Sequence, residues 1–133
     1  MKRKISLSMC CIAAFSVLIT ALMISLVLYN RNYKNMTNYI QNEAEYMAAA
    51  MNYNGVEYLD SVKDVSPSRI TWIANDGNVI FDNSGKKMEN HSDRSEFKEA
   101  IKSGIGESSR LSETLGKKTY YYAILMNDGT VLR

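Results

Sequence analysis

Catalysis needs acids, bases, nucleophiles or metal ligands brought together, and little in this chain is spaced to do so. Asp76, Asp82, Asp93 and Glu96 supply carboxylates. Asp76 stands in the turn signature Asn75-Asp76-Gly77-Asn78, and Asp93 precedes an apolar-periodic run, where a carboxylate caps a helix. Glu96, three residues on, fits a capping box. His91 is the only histidine and has no Cys or Ser placed to make a nucleophile–base pair, so a role tying its loop to the domain is expected. Both cysteines, Cys10 and Cys11, lie inside an apolar run, so no His/Cys metal set is expected outside it. No catalytic residue is assigned. Arg94 and Arg110 could hold an anion, because a guanidinium matches carboxylate and phosphate geometry, although a structural ion pair uses the same chemistry. In Tyr120-Tyr121-Tyr122 the outer two share one strand face and the middle one takes the other. Tyr122 is placed with Arg94 and Arg110 as the candidate ligand site.

The elements that position these residues begin with Ile5–Tyr29, 25 residues without Asp, Glu, Lys or Arg. At ~1.5 Å per residue such a helix exceeds the ~30 Å hydrocarbon core of a bilayer. A cleaved signal peptide has a shorter apolar run and small residues at its end, whereas this run ends Leu26-Val27-Leu28-Tyr29. A buried helix, apolar all round, would need more covering protein than this chain has. Lipid attachment at Cys10 fits poorly, because Met9 stands where a small residue is wanted. Lys2, Arg3 and Lys4 precede the run and Arg31 and Lys34 follow it, which places the N-terminus in the cytoplasm and the rest outside. The expected division is a tail over 1–4, a transmembrane helix over 5–29, a juxtamembrane helix over 30–54 and a domain over 55–133.

Residues 31–133 hold 13 Lys/Arg against 14 Asp/Glu, so the outer part carries no footprint for nucleic acid. Residues 30–54 lack Pro and Gly, and Tyr33, Met36, Ile40 and Met47 recur at helical spacing. They are the expected seam of a homodimer, flawed by Glu43, unless the helix simply packs on its own domain. Gly55 stops it, and a short helix through Val56, Leu59 and Val62 follows. Arg69–Ala74 and Val79–Asp82 flank the Asp76-Gly77 turn as a hairpin. Arg94–Ser103 reads as a helix stopped by Gly104, Glu107–Leu115 and Lys118–Met126 as strands around Gly116-Lys117, and Val131 as the start of a fifth strand. That last strand is expected to be truncated, leaving an open edge beside Val131. The whole reads as one α+β domain, its sheet antiparallel and its helices on one face.

This order resembles the PAS-like (single Cache) sensor domains found outside the membrane. The local sequence is similar to the sensor region of bacterial histidine kinases of the phosphate-regulon type. The carrying residues are Arg69–Ile73 (RITWI), Asp76–Asp82 (DGNVIFD), Met88–His91 (MENH) and Asp93–Phe97 (DRSEF). Arg110–Lys117 (RLSETLGK), Tyr120–Ala123 (YYYA) and Asp128–Arg133 (DGTVLR) complete the set. The resemblance implies a membrane-bound homodimer that senses an unknown small molecule or protein. It also implies a kinase core using ATP and magnesium, which these residues do not contain. The chain therefore reads as an N-terminal piece of such a kinase. Alternatives are the sensor of a chemotaxis-type receptor and a non-enzymatic membrane protein that binds another receptor through its long helix. An enzyme acting outside the cell needs a nucleophile and base, or a metal set, that the residues do not supply.

Overall fold

The computed structural model describes residues 2–86, 88–112 and 116–133. The elements are α1 (Lys2–Asn54), α2 (Val56–Val62), β1 (Thr71–Ile73), β2 (Val79–Asp82), α3 (Ser95–Ser103), β3 (Ile105–Leu111), β4 (Lys118–Leu125) and β5 (Val131–Leu132). Two compact units divide the chain, Met1–Thr37 and Asn38–Arg133.

In the first unit α1 is long and apolar enough to cross a membrane, with a window of mean hydropathy 2.6 and none of that window buried. Two hydroxyls of its apolar run are satisfied within the helix, as hydrocarbon would require. The Ser16 hydroxyl donates to the Ala13 carbonyl at 3.1 Å and the Thr20 hydroxyl to the Ser16 carbonyl at 2.8 Å. No proline or glycine interrupts α1 before Gly55, whose φ of 63° ends it.

In the second unit five strands form one antiparallel sheet in the order β2-β1-β5-β4-β3. Helices cover both faces of it, not one as expected, because alternate strand residues are apolar on both sides. Met47, Ala48 and Met51 of α1 and Leu59 of α2 pack with Ile70, Met126 and Leu132 on one face. Phe97 and Ala100 of α3 pack with Ile73, Ala123 and Val131 on the other. α3 lies so close to β3 that a Cβ at Gly106 would overlap the Glu96 carbonyl.

β5 is the central strand. Val131 is fully buried and pairs with Ile73 on one side and Leu125 on the other, so the open edge expected beside it is not there. Thr71 and Arg133 exchange both backbone hydrogen bonds at 2.8 Å. The outer edges of the sheet are β2 and β3, and β3 starts two residues earlier than expected and ends at Leu111. The expected continuation through 113–115 lies outside the described residues. α3 blunts the β3 edge: the Glu99 carboxylate accepts the Glu107 N–H at 3.0 Å and the Ser103 hydroxyl donates to the Ile105 carbonyl at 2.9 Å.

Polar ties fix α1 to the sheet. The Gln41 amide donates to the Tyr120 hydroxyl at 3.0 Å, which donates to Glu107 at 2.9 Å. The Glu43 carboxylate accepts the hydroxyls of Ser66 and Ser68. Glu43, the flaw in the expected seam, therefore serves its own domain.

Candidate functional site

On the α3 side of the sheet is a cleft of about 310 Å³. Arg69, Lys86, Arg94, Arg110 and Arg133 line it with five cations. Arg69 and Thr71 alternate toward the same sheet face as Arg133, Arg110 comes from β3, and Lys86 and Arg94 come from the segment joining β2 to α3. The Tyr121 ring of β4 lies beneath two of the guanidiniums, 4.1 Å from Arg110 and 5.1 Å from Arg133. Cation–π attraction of this kind contributes about 0.5–2 kcal/mol and holds each guanidinium plane in place.

Two buried carboxylates anchor the cations. Glu96 is fully buried. It accepts a bidentate pair from Arg110, with Nη2 at 2.9 Å, a bond from Arg133 Nη1 at 3.2 Å and the Ser108 hydroxyl at 2.8 Å. Burial alone would raise its carboxyl, but the hydrogen bonds from Arg110 and Ser108 outweigh that and hold it at about 2. Asp82 accepts Arg69 Nε at 3.0 Å and the Thr71 hydroxyl at 2.8 Å, and the Thr71 oxygen in turn accepts Arg133 Nη2 at 3.3 Å. The Asp82 carboxyl is lowered in the same way, its hydrogen bonds overcoming burial. Five cations against Asp82, Glu96 and Glu89, a further acid on the lining, leave two positive charges in excess.

His91 also lines the cleft and is 5% exposed. Its backbone N–H donates to the Gly77 carbonyl at 2.7 Å, which ties this loop to the hairpin turn. Its Nδ1 is buried without a hydrogen-bond partner among the described residues. Burial, then the charges of Arg133, Arg94 and Arg69, pull the imidazole down to about 4, so it is neutral at neutral pH.

Of the three residues expected to hold a ligand, Arg94 and Arg110 line the cleft and Tyr122 does not. Tyr122 is buried on the α1 side of the sheet, and Tyr121 occupies the cleft face. The strand period gave the alternation of the three tyrosines but not which face held the cleft. Arg69, Lys86 and Arg133 were missed. Arg69 and Arg133 become neighbours only through the pairing of β1 with β5, which is not local in sequence. The capping box is replaced as well. Arg94 is the N-cap, its side chain not capping the helix, Asp93 is exposed and paired with Lys98, and Glu96 turns inward to the arginines.

The expected seam residues separate. Tyr33 and Met36 are each 42% exposed and Ile40 is half-buried, but Met47 is in the core of its own domain. Met47 therefore cannot face a second copy while the domain is folded.

A five-stranded antiparallel sheet in this order, with a long N-terminal helix on one face and a ligand-sized cleft on the other, defines a PAS-like α+β sensor fold. The chain belongs to the Single Cache-like family, whose profile matches residues 30–131. Single Cache domains are extracellular sensor modules of histidine kinases and chemoreceptors. An apolar N-terminal helix joined to such a domain fits a membrane location. No curated protein matches the chain.

Proposed function

We propose that this chain is the signal-sensing part of a membrane-bound histidine kinase of the phosphate-regulon type, and that its signal is a small anion held in the arginine cleft. The carrying observation is the excess positive charge of a concave site whose buried carboxylates are already engaged by its own arginines. Small-ligand sites are concave, with a few convergent polar groups, and 310 Å³ is at the small end of their range. The kinase assignment rests on the motifs from Arg69 to Arg133. Phosphoryl transfer, with its ATP and magnesium, would belong to a catalytic core encoded after Arg133. A second apolar span and that core in the downstream gene sequence would support the assignment, and a chemoreceptor signalling helix there would replace it.

The cleft is tested by calorimetric titration of the full chain in detergent micelles with succinate, citrate and inorganic phosphate. One of these should saturate, and Arg94→Gln should weaken it about tenfold or more, the worth of one charge-assisted hydrogen bond. Absence of saturation by all three, in a chain whose cooperative unfolding shows it to be folded, would count against an anion-sensing cleft.

A further inference from the structure

The segment joining β2 to α3 is pinned on both sides of Glu89. Before it, Arg69 Nη2 donates to the Met88 sulfur at 2.8 Å. After it, the Asn90 amide donates to the Asp76 carbonyl and to Asn78 Oδ1, each at 3.0 Å, and Asn90 Oδ1 accepts the Ser92 N–H at 2.8 Å. The hairpin turn admits this approach because Gly77, at φ 87°, has no side chain. A Cβ there would overlap the Ser92 amide and Asn90 Oδ1. Glu89 is thereby held on the cleft lining, two residues from His91. Asp82 and Glu96 engage their oxygens with the arginines, whereas Glu89 makes no hydrogen bond or ion pair among the described residues. It is exposed, so water solvates its charge until a ligand displaces that water. His91 is buried with its Nδ1 unpartnered, and its imidazole is neutral, so it does not offset the Glu89 charge. Among its cations the cleft therefore presents a carboxylate with unused acceptor capacity.

We propose that Glu89 makes the cleft selective for a doubly charged anion that carries an O–H group, the O–H donating to the Glu89 carboxylate while the arginines hold the charged oxygens. The inference rests on the anion-sensing reading of the cleft and narrows its ligand. Charge sets the valence: the lining carries two positive charges in excess with Glu89 counted, and a doubly charged anion balances them. The acceptor sets the rest. An anion that offers only lone pairs leaves the Glu89 carboxylate desolvated without a donor, which is costly. An O–H on the ligand turns the same contact into a charge-assisted hydrogen bond. The neutral His91 imidazole adds a second acceptor to the lining. An ammonium group would also satisfy Glu89, but an acidic amino acid carries a single net negative charge and leaves one positive charge of the cleft unbalanced. A hydroxydicarboxylate and hydrogen phosphate both have the required charge and the required O–H.

The test compares pairs of equal charge by calorimetric titration of the full chain in detergent micelles. Mildly alkaline buffer keeps inorganic phosphate mostly doubly charged. Malate should bind about tenfold or more tighter than succinate, or hydrogen phosphate than sulfate, and the pair that does so names the source of the ligand. Glu89→Gln should cut that preference severalfold, because an amide oxygen accepts only a neutral hydrogen bond, and should tighten the member without the O–H. The variant should keep its unfolding transition, because Glu89 is exposed. A preference that Glu89→Gln leaves unchanged, with all affinities raised alike, overturns the proposal, since the carboxylate would then act only as a distant charge. Equal affinities within both pairs overturn it while leaving an anion cleft in place. Aspartate binding more tightly than malate overturns it in favour of a zwitterion site. If none of the four anions saturates a folded chain, the anion reading itself fails and the selection falls with it.

Discussion

Arg133 and Glu96 meet inside the domain, Nη1 to Oε1 at 3.2 Å, with side chains 6% and 0% exposed. One follows the central strand and the other opens α3. Their pairing therefore locks the helix to the middle of the sheet, and Arg110 completes the lock from the edge strand. The network continues from Arg133 through Thr71 and Asp82 to Arg69. The cleft floor is thus a single chain of charge-assisted bonds linking β3, β5, β1 and β2 to α3.

Removing the charge at its centre should cost far more than removing one at the surface. Glu96→Gln keeps the shape but leaves Arg133 buried without its counter-charge, a loss of about 3–5 kcal/mol. Asp93→Asn breaks only the exposed pair with Lys98 and should change stability by less than about 0.5 kcal/mol. Trp72 is the sole tryptophan and packs against the core, so urea unfolding followed by its fluorescence reads both.

Acid should destabilise the domain in two windows. The His91 imidazole is lowered from 6.5 to about 4, so the unfolded chain takes up a proton before the folded one does, and stability falls as pH drops from about 6.5 to 4. The Glu96 carboxyl is lowered from 4.5 to about 2, so its contribution is complete above about 4.5 and is lost on the way to 2. His91→Gln should flatten the first window and leave the second. An unchanged slope between pH 6.5 and 4 would mean that the imidazole is not the group responsible.

Local rules carried most of the elements and little of the site. Gly55, Gly77 and Gly104 end or turn elements where the sequence places them, each with positive φ, and the hairpin around Asp76 forms as read. The cleft was legible only in part because it is built from pairs distant in sequence. β1 meets β5 some 60 residues later, and that contact alone brings Arg69, Thr71 and Arg133 together. Glu96 obeyed tertiary chemistry over local propensity: a capping box contributes about 1 kcal/mol, less than a buried carboxylate gains from two arginines. The long helix shows a related effect. Helical spacing fits Met47 equally to a seam and to packing on its own domain, and only the sheet, built from distant strands, shows that its own domain claims it.

The close seating of α3 depends on Gly106. A methyl group there would meet the Glu96 carbonyl and the Ala100 amide, both backbone atoms that cannot swing aside. Gly106→Ala should therefore push α3 off the sheet, at a cost of about 1–3 kcal/mol, and lengthen the Glu96–Arg110 contact. A lowered unfolding midpoint together with a smaller Glu96-dependent loss on acidification is the expected result.

Orientation is the last expectation to be tested, and it follows from charge at the ends of the apolar run. Lys2, Arg3, Lys4 and the terminal amine stand on one side, Arg31 and Lys34 on the other, and the side richer in Lys and Arg is retained in the cytoplasm. The acidic groups of the domain do not enter this comparison, because Asp and Glu contribute little to topology and long domains translocate largely regardless of charge. Alkaline phosphatase fused after Asp60, an exposed residue of α2, should then be active, and a reporter that works only in the cytoplasm should be silent at the same point. Exchanging Lys2, Arg3 and Lys4 for glutamine while adding three lysines after Asn30 should reverse both signals. If the phosphatase is inactive in the native chain and the cytoplasmic reporter is active at the same point, the arginine cleft faces the cytoplasm and its anion is an intracellular one.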